Sequence, residues 1–102
     1  METLRELRKN HALGNPIRLG IMLYLLPREK ALFRDLVKVL EITPGNLDSH
    51  IKTLQKEGYV EVRKIFADRP RTIICITEGG AVRTKEYISM LKKALEDGLR
   101  LS

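Results

Sequence analysis

Two groups of polar residues in this 102-residue chain have types and spacing suited to chemistry. The first lies in "TPGNLDSHIKTLQKEGYV", Thr43 to Val60. With Leu47 as reference and about 100° per residue, Ile51 and Leu54 fall within about 40° of it and form an apolar stripe. Gly45, Ser49, Lys52 and Lys56 lie near the opposite side, with Asn46 and Thr53 on one flank. Short polar and long cationic side chains of this kind suit base edges and phosphates in a groove wide enough for a helix. A glycine on the exposed face lets the helix start approach a ligand closely, and the helix N-terminus attracts phosphate. The same stripe also suits a helix that only closes a core.

The second group is "KIFADRPRT", in which Arg69 and Arg71 flank Pro70. Proline stiffens the loop and holds two guanidinium groups near one another, a pairing fit for the minor groove or its bordering phosphates. Arg63 and Lys64 point to opposite faces of a strand, so only Lys64 or its neighbour faces the same ligand. The bland alternative is a solubilising loop tip.

Other chemistry has less to build on. His50 falls only about 60° from the Leu47 stripe, so we expect a half-buried packing residue that is hydrogen-bonded rather than a ligand. Asp48 would be repelled by phosphate and is not assigned to the site. Cys75 cannot make an intrachain disulfide, being the single cysteine, and its place between Ile74 and Ile76 suggests a buried structural thiol. No Cys/His cluster, Ser/His/Asp set, phosphate loop or paired carboxylates at catalytic spacing is visible. Neither a metal, a cofactor nor an enzymatic activity is therefore expected.

Composition agrees with a polyanionic partner. A net charge of +6 within 31% charged and 43% hydrophobic residues describes a folded basic domain. The excess is local: Tyr59 to Thr72 holds four cations against two acids, whereas Glu78 to Asp97 balances four against four. The apolar run "LGIMLYLL" ends at Pro27 and is too short to span a bilayer. "METLRELRKN" does not resemble a secretion signal, so a cytoplasmic protein without a membrane partner is expected.

The elements that must hold these residues are legible in outline. Thr3 and Glu6 are spaced as a capping box opening a first helix with Leu4 and Leu7 on one face. Asn15 caps a second, with Pro16 at its first position, and its nearly all-round apolarity apart from Arg18 makes it the central core helix. "REKALF" is a short extended piece, and "FRDLVKVLEI" is a third helix with Leu36, Val37 and Leu40 at core spacing. Thr43 and Pro44 begin a fourth helix that Gly58 ends. "YVEVRKIF" and "RTIICIT" alternate as the two strands of a hairpin. Thr77 caps a last helix with Ile88, Leu91, Leu95 and Leu99 at near-heptad spacing. We therefore expect one mainly α domain over residues 1–102 with a small β-hairpin, in the order helix, helix, short strand, helix, helix, two strands, helix.

Two helices joined by a tight turn and followed by an Arg-rich hairpin form the layout of a winged helix-turn-helix. The residues also resemble winged-helix transcription regulators of the ArsR and MarR type. The resemblance is carried by "GNLDSHIKTLQKEGYVEVRK", "RPRT" and "ITEGG", and runs from about Asn15 to Ala94. It implies double-stranded DNA as the partner, a recognition helix over 43–57 and a wing over 63–72. Pro44, Gly45, Asn46, Ser49, Lys52, Thr53, Lys56, Lys64, Arg69 and Arg71 would make the DNA contacts. It further implies a homodimer built on the outer helices, 1–13 and 78–102, through Leu4, Leu7, Ile88, Leu91, Leu95 and Leu99, because that stripe exceeds what one protomer can cover. The competing arrangement folds both helices back on the protomer's own core.

The sequence departs from the family in two places. The turn between the third and fourth helices is "LEIT", with Glu41 where glycine is usual, so either the turn differs or a left-handed glutamate is tolerated at about 1 kcal/mol. The cysteine pairs of metal-sensing ArsR proteins are missing. No residue set identifies a small-molecule effector, which would have to sit between the core and the outer helices. Alternatives to DNA binding are a winged-helix module for protein or RNA contact, favoured if the cations fail to form one face, and a redox-sensing regulator resting on Cys75.

Overall fold

The computed structural model describes residues 2–101. Met1 and Ser102, the outermost residues of the expected pairing segments, lie outside the described residues. Along the chain run α1 (Glu2–Lys9), α2 (Pro16–Arg28), β1 (Lys30–Leu32), α3 (Phe33–Leu40), α4 (Pro44–Lys56), β2 (Val60–Phe66), β3 (Pro70–Ile76) and α5 (Glu78–Leu101). This is the expected order, a winged helix of five helices and three antiparallel strands.

The local chemistry at most element ends is as expected. Asn15 Oδ1 accepts from the Ile17 and Arg18 amides at 2.9 and 3.0 Å, and Thr43 Oγ1 accepts from the Asn46 amide at 3.1 Å. Thr77 Oγ1 accepts from the Gly80 amide at 2.8 Å and so opens α5. Gly58 leaves α4 at φ 79°, where a side chain would be strained. Glu41 takes the left-handed conformation at φ 52°, ψ 47°. Of the two expected outcomes, a left-handed glutamate is the one that holds, at a cost of about 1 kcal/mol.

One cap differs from expectation. Thr3 lies inside α1 rather than before it, and Glu6 does not reach back to close a capping box. Its carboxylate instead meets Lys9 Nζ at 3.2 Å along the exposed side of the helix.

β1 adds an edge to the hairpin, giving strand order β1-β3-β2, with Ala31 opposite Ile74 and Val62 opposite Ile74 on the other side. The core forms where α2, α3 and α4 meet one face of this sheet. Ile21, Met22, Leu25, Leu36, Leu47, Leu54 and Ile74 are all fully buried there. Gly80 lets the first turn of α5 cross the Tyr59 backbone, since a Cβ at Gly80 would overlap the Tyr59 carbonyl. α1 packs along α5, whose 24 residues make it about 36 Å long, in a molecule 55 Å in its longest dimension. No described helix is long and apolar enough to cross a membrane.

Candidate nucleic-acid interface

Helix α4 buries Leu47, Ile51 and Leu54, as its periodicity predicts, and this burial fixes which residues turn outward. Pro44, Gly45, Asn46, Ser49, Lys52 and Lys56 are exposed. A Cβ at Gly45 would meet nothing within 4 Å, so nothing inside the protein requires glycine there. Thr53 is half-buried and its hydroxyl donates to the Ser49 carbonyl at 3.3 Å. That bond occupies its proton and leaves only acceptor capacity toward a ligand.

His50 is half-buried, with Nδ1 3.1 Å from Arg18 Nη1. Arg18 also donates from Nε to the Ala12 carbonyl at 2.8 Å and from Nη2 to the His11 carbonyl at 3.1 Å. One side chain therefore ties α2, the 10–14 turn and α4 together. Burial, followed by the Arg18 charge, lowers the His50 pKa below 6.5. The ring is held neutral, accepting at Nδ1. It is the packing residue expected from the helical wheel, and its arginine partner has no counterpart in that expectation.

Lys52 is not a free cation. Its ammonium meets Asp48 Oδ2 at 2.9 Å, one turn back on the exposed side of α4, and the hydrogen bond and charge of Asp48 raise the Lys52 pKa. Asp48, set aside on sequence grounds, is thus part of the same surface. Its i, i+4 spacing to Lys52 is the signal that marks the pair in the sequence.

A groove of about 490 Å³ separates α4 from the sheet. Asp48, Lys52 and Gln55 line one wall and Lys64 and Thr72 the other, over a floor that includes Phe33, Ile51 and Ile74. A second groove, beside the wing, is lined by Arg34, Arg69, Pro70 and Arg71, and shares Phe33 and Thr72 with the first. The two are contiguous. Lys52 and Lys64 therefore face one furrow, and Arg34, Arg69 and Arg71 continue it. Lys56, on the last turn of α4, is exposed but lines neither groove.

Not every wing charge is unencumbered. Arg63 pairs with Glu61 at 3.1 Å on the row opposite Lys64, which resolves which of the two faces the groove. Arg71 approaches Asp68 at 3.8 Å. Two residues join the surface without a place in the sequence expectation. Arg34 lies on the third helix, which its apolar face alone identifies, and Phe66 stands exposed at the end of β2 in a wing that its charge identifies.

Two further expectations need correction or division. Cys75 is half-buried rather than fully buried. It alternates with Ile74, which faces the helices, so the thiol turns to the uncovered side of the sheet, opposite Lys30 on one strand and Glu61 on the other. The outer-helix stripe divides: Leu7 and Leu91 pack against the protomer's own core and Ile88 is half-buried. Leu4, Leu95 and Leu99 remain 49%, 59% and 78% exposed.

Known proteins share this architecture and much of this sequence. A transcriptional regulator homologue from Pyrococcus horikoshii OT3 is 56% identical and superposes with a TM-score of 0.91 over 97% of this chain and 98% of its own. An uncharacterised protein of Methanocaldococcus jannaschii is 40% identical over 71% of this chain and 79% of its own length. A mutant of MarR from E. coli, 20% identical, shares the fold at a TM-score of 0.75 over 96% of this chain and 74% of its own. The family model described as a winged helix DNA-binding domain matches residues 17–95, nearly all of α2 through most of α5. The chain belongs to the winged helix DNA-binding domain family.

Proposed function

We propose that this protein is a sequence-specific, double-stranded DNA-binding transcription regulator that acts as a homodimer. In this reading α4, as the core of the 43–57 recognition segment, enters the major groove. Pro44, Gly45 and Asn46 bring its first turn close, and Ser49, Lys52, Thr53 and Lys56 address base edges and phosphates. Wing residues 63–72 lie over the flanking minor groove, with Lys64, Arg69 and Arg71 on the backbone. The exposed leucines Leu4, Leu95 and Leu99, with Ile88, pair two subunits and set two recognition helices about one DNA turn apart.

The observation that carries this reading is the contiguity of the two grooves through Phe33 and Thr72. It puts Lys52 of α4, Lys64 of β2, Arg34 and the wing arginines along one furrow, with Lys56 on the surface beside it, an excess of cations over Asp48 that suits a polyanion.

The test is selection of bound genomic fragments by the full chain at a stated salt concentration. Double-stranded fragments sharing two half-sites about 10 bp apart, centre to centre, are expected. Recovery of no duplex above background, or equal recovery of all duplexes, would defeat the proposal.

A further inference from the structure

Phe66 is the last residue of β2 and leaves 77% of its surface in water. The fold makes almost no use of it. Its position is nevertheless fixed by strand alternation. Val60, Val62, Lys64 and Phe66 form one row of β2, opposite Ile76, Ile74, Thr72 and Pro70 of β3. The row begins in the core, where Val60 is 2% exposed, continues along the groove beside α4 through Val62, Lys64 and Thr72, and runs off the body of the protein at Phe66. The ring therefore belongs to the row that faces the recognition helix, and Glu61, Arg63 and Ile65 belong to the other.

Charge identifies what such a ring would meet. Phe66 lies opposite Pro70, two residues along its row from Lys64 and three before Arg69 in the turn. Arg71 sits on the other row, opposite Ile65 and within 3.8 Å of Asp68. The charge around the ring is therefore net cationic and suits a partner that is anionic around a narrow apolar slot. A stacked base step, bordered by two phosphate rows, has this composition. A second copy of the chain does not, because a two-fold contact here would bring like cations together.

The geometry points to Phe66 as an apolar wedge that enters the minor groove between two base pairs and kinks the duplex toward the major groove, where α4 lies. Side chains that act in this way partly unstack a step and gain a bent duplex that touches more protein surface. Flexible pyrimidine–purine steps yield most readily, so Phe66 selects such a step at the wing position without any hydrogen bond to a base. This inference rests on the proposed DNA-binding function and adds a residue that reads deformability.

The experiment measures bend angle, by energy transfer between end labels, and affinity across a salt series on a duplex recovered by the genomic selection. Wild type, Phe66→Ala, Phe66→Leu and an Arg69→Ala/Arg71→Ala double variant are compared. Phe66→Ala is expected to lose the bend and about tenfold in affinity with an unchanged salt slope, since an apolar wedge releases no counterions. Phe66→Leu should keep the bend, and the arginine variant should flatten the slope. Replacing the flexible step with a stiff A-tract should weaken wild type and leave Phe66→Ala unaffected. A wild-type bend in Phe66→Ala overturns the wedge. So does a loss of binding to phosphatidylserine vesicles by Phe66→Ala with the DNA bend retained, which assigns the ring to a membrane surface. A wild-type protein that binds no duplex removes the DNA-binding proposal itself.

Discussion

Arg18 Nη1 and His50 Nδ1, 3.1 Å apart, join the core helix α2 to the helix that carries the candidate DNA surface. The bond exists only while the imidazole is neutral, because a protonated Nδ1 would present a proton and a charge to a guanidinium. The protonation state of one ring therefore decides whether this tie between α2 and α4 is made, on top of the buried contacts of Leu47, Ile51 and Leu54.

This makes the protein's stability depend on pH in a defined direction. The folded-state pKa of His50 lies below the unfolded value of 6.5, so the unfolded chain binds more protons in the interval beneath 6.5. Stability is fully present above pH 6.5 and declines as pH falls through the depressed folded pKa. His50→Gln keeps a polar group at the site and cannot titrate. Thermal midpoints measured from pH 8 downward should fall more steeply below pH 6.5 in wild type than in His50→Gln. Parallel curves would show that the Arg18–His50 pair carries no linkage.

Asp48 should restrain DNA affinity through Lys52. Both side chains are more than half exposed and 2.9 Å apart, so their pairing adds little to stability but cancels one cation in the groove. Asp48→Ala is expected to raise affinity for all duplexes by several-fold and to steepen the salt slope by up to about one unit. Lys52→Ala should do the reverse, and the double variant should return near wild type. Fluorescence anisotropy over a salt series separates these results. Unchanged affinity in Asp48→Ala would place the pair outside the binding surface.

Removing Arg69 and Arg71 tests the wing by its charge. Taking one cation away from a phosphate should reduce the salt slope by about 0.9, so the double alanine variant should drop by up to about two units and weaken on all sequences alike. Arg71 is partly neutralised by Asp68 at 3.8 Å, so Arg69→Ala should account for the larger share. A normal affinity and slope in the double variant would remove the wing from the interface.

What can be read from the chain follows from the range of the forces involved. The cap at Asn15, the proline start at Pro44 and the left-handed Gly58 are decided within a few residues, and the fold contains all three. Glu41 at φ 52° shows the limit of that logic, since tertiary packing holds a conformation that local propensity resists. Thr3 shows the same limit from the other side: a capping-box spacing is present, but Thr3 lies within α1 and Glu6 meets Lys9 instead. In the candidate site, the polar face of α4 and the wing arginines are legible because periodicity and composition mark them. The Arg34 contribution and the Arg18–His50 pair span different elements and have no sequence signature. Phe66 and the outward-facing Cys75 do have one. Counting by twos from Val62 reaches Phe66, and counting by ones from Ile74 turns Cys75 away from the helices.

The outer helices give the last prediction. Leu95 and Leu99 are 59% and 78% exposed near the end of α5, whereas Leu91, one turn earlier, packs against the protomer's own core. A glutamate at the exposed pair therefore costs the monomer little and should break a dimer seam, where it buries unpaired charge. Sedimentation equilibrium should show a dimer at micromolar concentration for wild type and a monomer for Leu95→Glu/Leu99→Glu, with helical circular dichroism retained. Affinity for a two-half-site duplex should fall by roughly 10²-fold or more once the second recognition helix is no longer tethered to the first, with single half-site binding preserved. Leu91→Glu should instead lower the thermal midpoint of the protomer itself, because that side chain is partly buried against its own core, which distinguishes seam from core. A wild-type monomer at micromolar concentration would return α1 and α5 to the role of covering a single protomer.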